Sequence, residues 1–288
     1  MKLFKPSAKE YTKDMLPQNR RQVFFDVVKL HFTKLLFLGL LIFAFSLPLH
    51  LSSLFGDIYV GNLNAKIMES TGEQQKELIA QVIAFDNLRA LVNVLLWVIF
   101  AVGFSGIQRI VRQYAWGKNV FVGYDFTLGV KQNVGQNVLL ALIVGGCYAL
   151  AVSAYNMSSQ IEGTLAVIFM LPVGVFVFLI VPMCAYATVC IPVYGNKFKS
   201  NLWIALTLYL KHPLKTFVAL LCGGFLLALL FIPNLYCHII GRVVLSFFAP
   251  FAMLGFYLFS FNLLDEIVNK TKHPDYVGLG THKNEKNE

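Results

Sequence analysis

The sequence has few charged residues, and none of them lies in its long apolar segments. Charged side chains make up 14% of the 288 residues, against about a quarter in soluble domains. Hydrophobic residues reach 57%, which excludes a disordered chain and a water-soluble globular fold. Charges inside a membrane usually mark an ion pathway. Their absence from the apolar segments argues against proton- or sodium-coupled transport.

The sequence also lacks the patterns that carry common enzyme and metal chemistry. It contains no His-Glu-x-x-His pair, no Gly-x-x-x-x-Gly-Lys-Ser/Thr loop and no Gly-x-Ser-x-Gly turn. The six histidines never recur at i, i+3 or i+4, so no helical metal site is predicted. The five cysteines form no Cys-x-x-Cys pair. We therefore expect no enzyme activity, no metal and no cofactor.

What the sequence does contain is a series of apolar segments, each about as long as the 20 residues that a bilayer span needs. The block 164–194 is too long for one straight span and too short for two. We interpret it as one span, kinked near Pro172 or Pro182, whose end emerges into the membrane interface near Pro192. The predicted spans are 35–55, 90–107, 138–155, 164–186, 216–232 and 243–264.

These spans define one transmembrane domain with polar ends. We assign residues 1–22 to a flexible basic leader, 23–264 to the membrane domain and 265–288 to a polar tail. The first outer loop, 56–89, is long and acidic on balance. Apolar residues recur at helical spacing in its second half, from Gly72 to Leu88, so this part is predicted to extend the second span outward. The extension is either a solvated helix end or a docking surface for an extracellular partner.

The distribution of lysine and arginine predicts the orientation in the membrane. Both termini and the segments 108–137 and 195–215 together hold 20 of the 24 cations, and the opposite side holds four. The positive-inside rule places the 20 in the cytoplasm. The net charge of +9 is then explained by topology and lipid headgroups rather than by nucleic acid. The prediction is a multi-pass protein with cytoplasmic N- and C-termini.

A weak internal repeat relates three parts of the chain. Residues 137–146 align with 215–224, and Lys34 occupies the corresponding position before the first span. Both aligned segments carry small residues four positions apart, which allow helices to approach closely in lipid. These predicted packing residues are Ala141 and Gly145 in the first segment and Ala219 and Gly223 in the second.

Each repeat begins with a stretch that has polar residues on one helical face. These stretches lie near residues 22–35, 125–138 and 202–215, and such helices lie in the plane of the interface. The predicted fold is therefore all-α. It is a polytopic transmembrane helical bundle of six spans, arranged as three hairpins that each follow a cytosolic interfacial amphipathic helix.

Three parts of the sequence resemble the YesL-like family of bacterial integral membrane proteins. Tyr124-Asp-Phe, followed by 129–133, is similar to one cytosolic motif of that family, and 201–205 followed by 211–216 to another. Phe45–Leu49 is similar to the end of the family's first span. The long first outer loop departs from the family pattern. The resemblance implies a bacterial plasma membrane protein associated with carbohydrate uptake.

Six polar residues in the two cytosolic loops are the candidate docking site. Asp125 is the acidic residue in these loops, and we expect it to pair with Lys131 or with a lysine of the other loop. The cluster either caps the interfacial helices and holds them at the headgroups, or docks a cytoplasmic partner. Its members are Asp125, Lys131, Asn133, Asn201, Lys211 and His212.

These observations leave more than one function open. The first hypothesis is an accessory or regulatory component of a membrane system such as carbohydrate uptake, with a membrane transporter as its partner. The alternative is a facilitator or channel for a neutral or amphiphilic solute, which the repeats and prolines suggest. A membrane-embedded enzyme has the least support. The sequence leaves the oligomeric state open.

Overall fold

A computed structural model describes residues 16–232 and 234–282, and all regular structure in these residues is helical. Six of the helical segments are long and apolar enough to cross a membrane. The all-α, multi-pass prediction is confirmed in these coarse terms, while the arrangement as three hairpins stays a prediction. Most of the predicted leader, residues 1–15, lies outside the described residues. The α-helices are α1 (Arg20–Glu69), α2 (Glu73–Ala115), α3 (Val122–Ser158), α4 (Thr164–Val175), α5 (Val181–Val193), α6 (Phe198–Lys211), α7 (Pro213–Gly224), α8 (Leu235–Leu264) and α9 (Lys270–Lys272).

The described chain ends meet at one end of the bundle, which we call the terminal end. There the guanidinium of Arg20 pairs with Asp265 at 2.8 Å, and the His282 backbone N–H donates to the Pro17 carbonyl. The loops 116–121 and 194–197 lie at the same end. The turns after α1 and α3 lie at the other end, which we call the far end. This alternation agrees with an even number of crossings.

The predicted outer loop 56–89 is almost entirely helical. Helix α1 continues to Glu69 and α2 begins at Glu73, so only a short turn separates them. Gly72, with φ of 64°, forms that turn. The segment lacks proline and is rich in Gln, Glu, Lys and Ala, which favour helix, and this explains its difference from a loop. The far ends of α1 and α2 therefore form a helical hairpin, with the Tyr59 and Phe85 rings in contact.

The three predicted interfacial stretches differ in structure. The first two continue into α1 and α3, and only the third forms a separate helix, α6. His31 interrupts α1 with φ −125° and ψ 23°, while His212, before Pro213, separates α6 from α7. His31 precedes Lys34 by three residues, and His212 precedes Lys215 by three. The two breaks thus occupy equivalent positions in the repeat. Interfacial placement of these stretches stays a prediction.

Spans four and five are not continuous α-helices. In span four a π-helical segment, Phe176–Ile180, separates α4 from α5 and lies between Pro172 and Pro182. Pro182 has no N–H to donate to the Phe178 carbonyl four residues earlier, and the Tyr209 hydroxyl of α6 donates to that carbonyl instead. Helix α5 then stays regular and buried to Val193, beyond the predicted exit of this span into the interface. In span five, α7 continues as the 3₁₀ segment Phe225–Phe231.

The small residues of the repeat occupy different environments. A Cβ atom at Gly145 would lie 3.1 Å from Cα of Val94, so α3 and α2 are in close contact there. At Gly223 the expected close approach is absent, because this residue is exposed and the nearest atom to its Cβ position is 3.9 Å away. Ala141 is buried and Ala219 is half-buried. The repeat in sequence is therefore not a repeat in packing.

Candidate functional site

A buried ion pair links α2 to the first turn of α3 at the terminal end. Nε of Arg109 lies 3.3 Å from a carboxylate oxygen of Asp125, and their side chains are 13% and 7% exposed. The second carboxylate oxygen accepts from the Phe121 backbone N–H at 3.0 Å. An acidic residue near a helix N-terminus stabilises the unpaired N–H groups there. Arg109 also donates to Gln132 at 2.8 Å, which extends the contact about two turns further along α3.

The partner of Asp125 differs from the one expected from the sequence. Lys131 is exposed and forms no ion pair with a described residue. Arg109 is the nearer cation because α2 and α3 pack closely at this point: a Cβ atom at Gly129 would lie 2.8 Å from Cβ of Arg109. The pair is therefore internal to the bundle and not a surface contact between loops.

Deeper between α2 and α3 lies a small polar cluster. The Asn137 amide donates to the Ser105 hydroxyl at 2.9 Å and to the Gln108 carbonyl oxygen at 2.8 Å. All three residues are buried. The other amide atoms of Asn137 and Gln108 have no partner among the described residues. These hydrogen bonds fix how α2 and α3 pack against each other. The buried amide atoms that lack a partner carry a desolvation cost in this low-dielectric interior.

A second amide contact joins α3 to α6. The Asn201 amide donates to the Gln136 side-chain oxygen at 2.9 Å, and the Gln136 amide donates to the Asn196 carbonyl at 3.0 Å. Asn201 is fully buried. The two loops that are predicted to be cytosolic are therefore bound to each other through Gln136, which was not among the predicted site residues.

The six predicted docking residues do not form one surface. Asp125, Asn133 and Asn201 are buried, while Lys131 and Lys211 are exposed and His212 is half-buried. Lys211 lies ten residues beyond Asn201 on α6, about 15 Å along the helix. Asp125 and Asn201 belong to internal contacts that hold helices together. The residues that remain free to meet a partner are the two exposed lysines.

The segment after α8 is bound to the bundle through Asp265. This carboxylate accepts from Arg20 at 2.8 Å, from the Gly278 backbone N–H at 3.1 Å and from the Asn269 amide at 2.7 Å. Gly280, with φ of 85°, lies so close to the end of α2 that a Cβ atom there would be 2.4 Å from the Ala115 carbonyl oxygen. Residues 265–282, predicted as part of a polar tail, thus form an ordered cover over the terminal end.

An aromatic cluster seals this cover. The Tyr194 ring lies 5.0 Å from the His273 ring and 6.1 Å from the Tyr276 ring, and Tyr276 also contacts Trp116. The Tyr194 hydroxyl donates to Asn269. Burial raises the pKa of this phenol above its ordinary value. Tyr194 therefore serves as a neutral hydrogen-bond donor at neutral pH.

The far end has its own ionic network around Asp57 of α1. One carboxylate oxygen lies 2.8 Å from Arg242 of α8 and 3.4 Å from His238, and the other lies 3.4 Å from Arg89 of α2. Arg89 also pairs with Asp86 at 2.9 Å. The network joins three long helices just beyond the predicted apolar spans.

Two membrane-spanning segments leave most of their apolar surface uncovered. No residue of α4 is buried, and Thr216 is the buried residue of α7. Large apolar side chains on both helices are exposed, including Val167 and Leu171 of α4 and Val218 and Leu221 of α7. In a bilayer these faces meet lipid chains or another membrane helix.

The arginines and amides that carry the terminal-end contacts were not among the site residues predicted from the sequence. Arg109 was counted as a topology signal, while Gln108, Gln136 and Asn269 were not selected. The sequence did contain a signal for Gln108 and Gln136. Each is a polar residue next to an apolar span in the same helix, and such residues tend to point toward a neighbouring helix. No local pattern could have paired Arg20 with Asp265, which is 245 residues away.

No family model, no curated protein and no solved structure matches this chain. The YesL-like resemblance therefore stays a prediction based on the short motifs quoted above.

Proposed function

We propose that this chain is a non-enzymatic component of a bacterial plasma membrane system, with both termini in the cytoplasm, and that it acts by binding another integral membrane protein. The observation that carries the proposal is the uncovered apolar surface of α4 and α7. A helix that the rest of the bundle leaves almost wholly uncovered can pack against a partner helix in the membrane. The resemblance favours a carbohydrate-uptake transporter as the partner.

The contacts of the terminal end support this proposal in a second way. Asp125, Asn137, Asn201 and Asp265 all have partners within the bundle, so these polar groups stabilise the fold. This leaves the membrane-facing surfaces and the exposed lysines as contact surfaces. A scaffold or regulator needs such surfaces and needs no reacting group.

The proposal is tested by purification in native-lipid nanodiscs followed by identification of bound proteins. The wild type should retain one membrane protein at fixed stoichiometry. Val218→Trp with Leu221→Trp should release it without lowering the amount of the chain in the membrane. Leu95→Trp, at another exposed apolar position on α2, is the matched control. Recovery of the wild-type chain alone in repeated preparations would refute the proposal.

A facilitator of neutral or amphiphilic solutes is the second candidate, favoured by the discontinuity of spans four and five. Interrupted spans occur in transporters beside substrate sites, and π-helical segments are frequent at functional sites. Proteoliposomes with the purified chain should then admit a neutral sugar faster than empty liposomes do. Equal rates for a panel of sugars and lipids would count against this function.

A further inference from the structure

A cavity of about 720 Å³ opens at the terminal end, between the first third of α1, the loop after α2 and residues 280–282. His31, where α1 leaves helical geometry, is one of the residues that line it. The His31 ring stacks on Tyr114 with ring centroids 4.7 Å apart. The cavity lies outside the helix contacts described above.

The polar groups that line this cavity carry a surplus of positive charge. Lys29 and Lys118 line it from different elements, and Asp26 is the acid among the described lining residues. Two lysines against one aspartate leave one positive charge before His31 or His282 is protonated. None of these residues forms an ion pair with a described residue. The Lys118 ammonium rests 5.2 Å from the Trp116 ring centroid.

Tyr114 forms part of the inner wall of the cavity. It is 1% exposed and its hydroxyl has almost no accessible surface, so a ligand in the cavity meets the ring and not the hydroxyl. Lys29 and Lys118 are therefore the cationic groups that this wall leaves to a ligand.

The rim of the cavity is apolar on its outer side. Leu30 lines the cavity and is 66% exposed, and the next residue but one, Phe32, is 51% exposed. These side chains point away from the bundle core beside the start of the first predicted span. A ligand that occupies both regions needs an anionic head and can carry an acyl chain. Basic pockets between helices at the cytoplasmic surface bind lipid headgroups in this manner.

We propose that this cavity binds a phosphate ester, with Lys29 and Lys118 contacting the phosphate. The phosphate can come from an anionic phospholipid headgroup or from a soluble ester, and the apolar rim favours the lipid. This site does not depend on the proposed partner of the membrane-facing helices.

The test measures the melting temperature of the full chain in detergent with added ligands. Phosphatidylglycerol should raise it by several degrees, and diacylglycerol, which lacks the phosphate, should not. Glycerol 3-phosphate tests a soluble phosphate ester. If it raises the melting temperature as much as phosphatidylglycerol does, the site binds soluble esters, and if it does not raise the melting temperature, the site binds lipid. No rise with either phosphate source would overturn the proposal.

Variants connect the effect to the cavity. Lys29→Gln with Lys118→Gln should abolish the rise, and the Arg replacements at both positions should keep it. Lys131→Gln, an exposed cation outside the cavity, is the control, and an equal loss there would mean general surface attraction and overturn the site.

Discussion

Substitutions at the two repeat glycines should differ greatly in their effect on stability, because only Gly145 is at a tight helix contact. At Gly145 a Cβ atom would lie 3.1 Å from Cα and 3.2 Å from Cγ1 of Val94, so α2 and α3 must separate to accept a larger side chain. Overpacking of this kind costs about 1–3 kcal/mol. With about 2–4 °C per kcal/mol for chains of 150–250 residues, Gly145→Leu should lower the melting temperature by about 2–12 °C.

At Gly223 the same change meets no tight contact. The nearest atom to its Cβ position is the Ala252 side chain at 3.9 Å, an ordinary contact distance. Replacing a helical glycine by alanine gains up to about 1 kcal/mol of helix propensity. Gly223→Ala should therefore be neutral or stabilising, and Gly223→Leu should lower the melting temperature by much less than Gly145→Leu does.

Thiol accessibility provides the assay. Cys184 and Cys190 are buried and become reactive only when the bundle opens, while exposed Cys222 is replaced by Ser to lower the background. A thiol-reactive fluorophore then reports unfolding in detergent during heating. Equal shifts for Gly145→Leu and Gly223→Leu would refute the packing argument and restore a structural repeat at both sites.

Three further predictions concern the terminal end and the topology. Asp125→Ala leaves Arg109 buried without its partner, so the protein should lose about 3–5 kcal/mol of stability, whereas the control Asp26→Ala should melt as the wild type does. Equal melting temperatures of the two variants would mean that the ion pair lies in solvent. Gly280→Ala places a Cβ atom 2.4 Å from the Ala115 carbonyl oxygen at a φ of 85°, so the cover should detach and trypsin should cleave after Lys270 and Lys272 faster than in the Val277→Ala control. An unchanged cleavage rate would mean that Gly280 does not hold the cover in place. In a cysteine-free variant, single cysteines that replace Thr71, Ser159 and Asn234 should react with an impermeant maleimide from outside the cell, and cysteines that replace Lys118 and Lys199 should not react. Labelling of Lys118→Cys in intact cells would contradict the proposed orientation.

Composition and the lengths of the apolar runs were sufficient to predict six helical crossings. Every span needs about the same length, and its backbone N–H and C=O groups must pair within the segment, as they do in a helix. The helical extension of the second span was also visible, since apolar residues recur there at helical spacing. The extension of α1 to Glu69 was not, because its polar residues suit a loop as well as a solvated helix. Local sequence does not distinguish these states without the packing partner at Phe85.

The candidate site was harder to predict because its partners are distant in sequence. Asp125 was selected from the sequence as a candidate docking residue, whereas its observed contact is with Arg109 on a neighbouring helix. The cover formed by residues 265–282 depends on one carboxylate, Asp265, that faces the first described turn of the chain. Composition marks that segment as polar but carries no information on where it folds back.

Photo-crosslinking in intact cells tests the central claim, binding of a membrane partner by α4 and α7, most directly. A photoreactive amino acid placed at Leu171 of α4 or Leu221 of α7 reports what touches those faces, and the same residue at Leu95 of α2 is the control. We predict that Leu171 and Leu221 crosslink to one and the same membrane protein and that Leu95 crosslinks only to lipid. Crosslinks from all three positions to lipid alone would contradict the account.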